Sequence, residues 1–117
     1  MNRRIALGRW GENYAAGYLQ ERGYAILTRN FRTAHGEIDL VAQHGERLVF
    51  VEVKTRSSVA FGYPEEAVTP HKRRHLQAAA LLYIEEQDWD GDWQIDVIAI
   101  ISAESAANPR LEHFENI

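Results

Sequence analysis

Residues 36–56 read GEIDLVAQHGERLVFVEVKTR, two apolar runs joined at Gly45 and Glu46 and interrupted by Glu37, Asp39, Glu52 and Lys54. A two-residue turn with Gly in first position has the type II′ pattern, and it sets the register of the strands on either side. Asp39 then lies opposite Glu52, Glu37 opposite Lys54, Val41 opposite Phe50 and Gln43 opposite Leu48, all on one side of the hairpin because strand side chains alternate. Ile38, Leu40, Ala42, Val49, Val51 and Val53 form the other side, which is wholly apolar and must be buried. A four-residue loop keeps this parity, whereas a three-residue loop moves Asp39 and Glu52 to opposite faces.

Directly opposed residues have Cβ atoms about 4.5 to 5.5 Å apart, near enough for two ionised carboxylates to repel, and partial burial strengthens the repulsion. Lys54 supplies one positive charge, which leaves excess negative charge on the acids. A divalent cation is the natural remedy, and all-oxygen ligands select hard ions such as Mg2+ or Mn2+. The alternative is a cross-strand salt-bridge lattice on a solvated face, worth little to stability. Against it stands LVFVEVK (residues 48–54), apolar on both faces before its charges begin, as in a central strand covered on two sides.

Outward from the hairpin, Leu7, Trp10, Tyr14, Tyr18 and the Ala15/Leu19 pair recur at helical spacing from Arg3 to Arg22, and Gly23 follows as a stop. YAILTRNFR (24–32) reads as a strand, TAHG (33–36) as a turn, and SSVAFGYPEE (57–66) as a loop. Thr69 is an N-cap with Pro70 at the first helical position of a helix that runs to Gln87, where DWDGD breaks it. WQIDVIAIIS and RLEHFENI supply two more strands. The order α-β-β-β-α-β-β predicts an α/β fold, a mixed central sheet flanked by helices.

The 117 residues suit a single domain spanning 1–117, and 45% hydrophobic residues can fill a core. The absence of cysteine excludes a disulfide framework and thiolate metal sites. No segment approaches membrane-span length, and the first residues, broken by Arg, Gly and Glu, do not form the apolar run of a signal peptide. The expected location is the cytoplasm, without a membrane partner. The formal charge of −4 is uneven. Residues 1–34 carry +4, 35–52 carry −3, 53–75 carry +3 and 76–117 carry −8. The hairpin acids are an acidic island between basic flanks, an arrangement that suits a metal beside a phosphate track, although scattered surface charge gives the same totals.

An Asp on one strand followed by Glu-x-Lys on the next resembles the PD-(D/E)xK nuclease superfamily. GRWGENYAAGYL, GYAILTRNFR, GEIDLVA, VFVEVKTR and HKRRHLQAAALLYI together resemble the YraN-like bacterial family, which is similar to archaeal Holliday-junction resolvases. The resemblance implies a restriction-endonuclease-like core, Asp39 and Glu52 as metal ligands for Mg2+ or Mn2+, and Lys54 as the partner of the attacking water. Glu12 falls where the resolvases place a helix-one acid that helps complete the site; Gly8, Ala15 and Ala16 beside it leave room for a close approach to the sheet. The superfamily name expects Pro before the Asp, and Ile38 stands there instead. Glu37 and Asp96 are accessory candidates, Asp96 being equally readable as a capped structural acid within an apolar strand. The related resolvases act as dimers, so the resemblance also implies a homodimer, for which no sequence feature identifies an interface.

Lys72, Arg73 and Arg74 crowd the first turn of the second long helix, where the helix dipole disfavours cations. A bound phosphate explains that cost, and a basic solvated turn is the alternative. Arg56, with Arg3, Arg4, Arg9, Arg29 and Arg32, extends the track, and Phe61 or Tyr63 in the loop could stack on a base. His71 and His75 have i, i+4 spacing but no third zinc ligand, so they read as solvated. His35, alternating onto the face of Glu37 and Asp39, is an outlying candidate. The leading expectation is a metal-dependent endonuclease acting on DNA, branched or junction DNA being the class the resemblance suggests. The alternatives are a non-catalytic nucleic-acid-binding or repair-accessory module of the same fold, and a purely structural domain that binds no metal.

Overall fold

The computed structural model describes residues 2–102 and 109–117. Helix α1 (Arg3–Glu21) is capped by Asn2, whose side chain accepts from Arg4 N at 2.7 Å. It is followed by strands β1 (Ala25–Thr33), β2 (Gly36–His44) and β3 (Arg47–Arg56), a 3-10 turn (Pro64–Ala67), helix α2 (Pro70–Gln87), and strands β4 (Asp92–Ile101) and β5 (Arg110–Phe114). Thr69 caps α2 as its sequence position predicts, its hydroxyl accepting from Lys72 N at 3.1 Å. The expected order α-β-β-β-α-β-β is the observed one; the 3-10 turn overlaps the end of the expected loop.

The five strands form one sheet in the order β1-β2-β3-β4-β5. β3 and β4 are parallel, joined by the crossover through α2, and the other three pairings are antiparallel. The sheet is therefore mixed, with β3 at its centre. On one face α1 packs Ala15, Ala16 and Leu19 against Leu40, Val49, Val51, Val53, Ile98 and Ile100. On the other, Leu76, Ala79, Ala80 and Tyr83 of α2 cover Ile38, Val41, Leu48, Phe50 and Ile95. Phe50 meets Tyr83 and Trp93 edge-on at 5.7 and 5.9 Å, and emptying a site of this kind to Ala costs about 3–5 kcal/mol.

The hairpin turn is the expected two-residue one. Gly45 has φ +63° while Glu46 keeps a negative φ, as a II′ turn requires. The pairs Leu40–Val51, Val41–Phe50, Ala42–Val49, Gln43–Leu48 and His44–Arg47 confirm the register. Beyond Leu40 and Val51 the ladder stops, and β2 continues paired to β1 alone, through Ile38–Phe31 and Glu37–Arg32. Three expectations fail at this divergence. Asp39 and Glu52 are not a ladder pair. Ile38 does not share the face of Leu40; it joins the cluster under α2. Glu37 does not face Lys54; it lies 3.6 Å from Arg32 on β1. The physical cause is a break in strand alternation at Asp39, next to Asn30 on β1, which adopts a left-handed φ of +54°.

Candidate active site

Asp39 sits where β2 and β3 part. Its Oδ2 accepts from Val53 N at 2.8 Å, so a side chain satisfies a backbone donor that the hairpin ladder no longer reaches. Glu52, on the adjoining strand, is 3% exposed. The two carboxyl groups meet. Burial, followed by the contact with the Glu52 carboxyl and its charge, pushes the Asp39 carboxyl up to about 9, against the opposing pull of the Val53 N–H. At neutral pH the pair therefore retains a proton between two acids, as two carboxyl groups sharing a low-dielectric site must.

Two lysines address Glu52. Lys54 Nζ lies 3.8 Å from its Oε2, and Lys72 Nζ, reaching from the first turn of α2, lies 3.1 Å from the same atom. Neither contact has hydrogen-bonding geometry: Glu52 Oε2 is the buried side-chain polar atom that lacks a hydrogen-bond partner among the described residues. Lys54 was expected beside the acids from its place on β3. Lys72 was expected only on a phosphate track, because nothing in a sequence tells which strand the start of a crossover helix will overhang.

Glu12 of α1 is close enough to the pair for its charge to matter. Burial raises its pKa first, and the charges of Glu37 and Glu52 raise it further, with Arg29 and Arg9 opposing. The helix comes this near because of Gly11, where a Cβ would fall 1.9 Å from Thr55 Oγ1 of β3. Of the small neighbours expected to allow this, Ala15 and Ala16 are buried against the sheet, whereas Gly8 has open space around it. Glu12 and Lys54 together line a groove of about 610 Å3 with Arg4, Arg56, Ser57, Ser58 and Phe61. Phe61 is fully exposed at its rim, and Tyr63 is also exposed.

The remaining candidates are dispersed. Arg74 and Arg73 are exposed on α2, and Arg73 lines a different hollow with Glu65, Val68, Val97, Phe114 and Ile117. His75 accepts or donates to His71 at 3.1 Å through Nε2 and uses Nδ1 on the His35 carbonyl at 2.6 Å. Because a carbonyl only accepts, that Nδ1 carries the hydrogen. These histidines are exposed but bonded to each other rather than solvated singly.

Asp96 lies elsewhere. It is fully buried on β4 beneath α1, the face of Ile98 and Ile100. Its Oδ1 accepts from Gln94 Nε2 at 2.8 Å and Asn116 N at 2.9 Å, and its Oδ2 meets His113 Nε2 at 2.7 Å. His113 Nδ1 in turn meets the Tyr18 hydroxyl at 3.1 Å. Of the two readings of Asp96, these contacts describe the capped acid. Asp96, His113 and the exposed Glu115 could together offer a metal three ligand atoms, but both Asp96 oxygens are already engaged by the protein.

No described helix is long and apolar enough to cross a membrane. The family profile that matches residues 11–100 carries the description "Uncharacterised protein family UPF0102". Similar chains, each called a UPF0102 protein, occur in Syntrophotalea carbinolica, 48% identical over 112 residues covering 95% of this chain and 89% of the relative, and in Syntrophomonas wolfei, 50% identical over 102 residues covering 86% and 87%. A third, from Herpetosiphon aurantiacus, is 44% identical over 119 residues and covers 97% and 94%. The extent of these matches, on a chain whose elements follow the expected order, places it in the YraN-like family that the UPF0102 description denotes.

Proposed function

We propose that this protein is a divalent-metal-dependent endonuclease that hydrolyses phosphodiester bonds in DNA, with branched or junction DNA as its substrate class. The observation that carries the reading is the buried Glu52 oxygen without a hydrogen bond, held beside a second carboxyl at the opening between β2 and β3. Such an oxygen, with a lysine ammonium 3.1 Å away but no hydrogen bond, keeps an acceptor site that a cation can fill. Asp39 and Glu52 would hold Mg2+ or Mn2+, both hard cations that favour oxygen donors. Bound there, the ion would offset charge on the phosphate and make water acidic enough to serve as nucleophile.

The chain's own groups account for the rest. Lys54 places a compact cation at the mouth of the pair, where it can orient the attacking water or stabilise charge growing on the phosphate oxygens. The water gives up a proton to solvent as its oxygen forms the new bond to phosphorus, the bond to the leaving oxygen breaks, and the leaving oxygen takes up a proton from solvent. Glu12, whose pKa burial raises, stands beside the acid pair as a candidate for proton transfer. The groove holding Glu12 and Lys54 also presents Arg4, Arg56 and Phe61, a combination of cations and an exposed ring that suits a nucleic-acid strand.

Purified protein incubated with four-way, flapped and linear DNA in Mg2+ or Mn2+ tests the reading, with a Glu52→Ala, Lys54→Ala double variant as reference. Cleavage confined to the unsubstituted chain supports it. Equal products from both proteins refute it, and salt-dependent DNA binding without turnover that survives both substitutions assigns a binding module instead.

A further inference from the structure

Lys72 is in an unfavourable place for a cation. It lies in the first turn of α2, three residues after the N-cap Thr69, where the partial positive charge of the helix start opposes it. Its ammonium nevertheless turns inward to within 3.1 Å of Glu52 Oε2. Lys54 approaches the same oxygen to 3.8 Å. Two ammonium groups thus converge on one buried oxygen that hydrogen-bonds to neither. The two differ in their tether. Lys54 projects from β3 two residues after Glu52 and is fixed to the same side of the strand. Lys72 comes from another element, and its side chain is 34% exposed, so its four-carbon stem can swing outward without disturbing the core.

A divalent ion at the acid pair would meet Lys72 as a like charge. We propose that Lys72 holds the cation's place at Glu52 in the unloaded protein and is displaced by the cation, which frees its ammonium to contact the substrate phosphate at the start of α2. The inference rests on the metal reading of Asp39 and Glu52 and adds to it a residue that couples metal loading to substrate binding. An uncompensated acid pair is avoided while the site is empty, and the helix start gains an anion once Lys72 is released.

Calorimetric titration of Mn2+ alone into the unsubstituted protein and the Lys72→Met, Lys72→Arg, Arg74→Met and Glu52→Gln variants tests this. Lys72→Met should bind Mn2+ about tenfold more tightly, the size of coupling expected between charged groups in contact. Lys72→Arg should stay near the unsubstituted value, and Arg74→Met should change affinity by less than about twofold, since a remote exposed charge is screened. With Ca2+ in place of Mn2+, Lys72→Met should also bind branched DNA several-fold more weakly. Unchanged or weaker Mn2+ affinity in Lys72→Met overturns the inference while leaving the metal site standing. Mn2+ binding that is absent from the unsubstituted protein, or that survives in Glu52→Gln, removes the site reading and this inference with it.

Discussion

Glu52 and Asp96 are buried acids on neighbouring strands, one register step apart, since Val51 pairs with Asp96 and Glu52 with Val97. They face opposite helices and have opposite surroundings. Asp96 has both oxygens engaged, by Gln94, Asn116 and His113, whereas Glu52 presents an oxygen with two cations near it and no hydrogen bond. A buried carboxylate whose bonds are all made within the chain is part of the framework. One left short of them, next to a second acid, is a candidate functional site.

The largest effect expected from this contrast is on catalysis. Glu52→Gln should lower metal-dependent cleavage about 10^2- to 10^3-fold with little change in melting temperature, because the isosteric amide removes repulsion from the acid pair. Asp96→Asn should leave cleavage per folded molecule nearly unchanged. The reverse pattern in a nuclease assay would break the contrast. Second in size is stability: Asp96→Ala leaves several buried donors unpaired and should cost about 3–5 kcal/mol in urea unfolding.

Gly11→Ala comes third. Its Cβ would collide with the Thr55 hydroxyl, and overpacking at a close helix–strand approach costs about 1–3 kcal/mol. Thr55→Ala in the same chain should recover much of that loss, which a double-mutant cycle measures directly.

The fourth effect is a pH dependence. The Asp39 carboxyl titrates far higher when folded than its ordinary value of 3.8, so the folded protein holds a proton that the unfolded chain releases between about pH 4 and pH 9. Metal-free stability should therefore fall as pH rises through that window. Asp39→Asn, which still offers an oxygen to Val53 N–H, should flatten the slope and stabilise the metal-free protein at pH 8. An unchanged slope, followed by thermal unfolding from pH 5 to 9, would show that Asp39 is not the group responsible.

Much of the Glu52 side of this comparison was legible in the sequence. A Gly-first two-residue turn sets a register, and register decides which side chains meet; the structure keeps it from Leu40 to His44. The splay at Asp39 was not legible. It coincides with the left-handed Asn30 of a neighbouring strand, and Asn in a β run was the one local signal of it. The Asp96 network was hidden for another reason. His113 and Asn116 reach it across 17 and 20 residues, a closure set by where β5 docks and not by any short-range spacing. Lys72 was readable as a misplaced cation, and only the packing of α2 over β3 reveals the acid that draws it in.

A crystal of the protein soaked in Mn2+, measured for anomalous scattering, compares the two acids most directly. The expected result is a peak between β2 and β3 coordinated by carboxyl oxygens of Asp39 and Glu52, with Lys72 turned away from it. A peak at Asp96, His113 and Glu115 instead, or no peak beside Glu52, would contradict it.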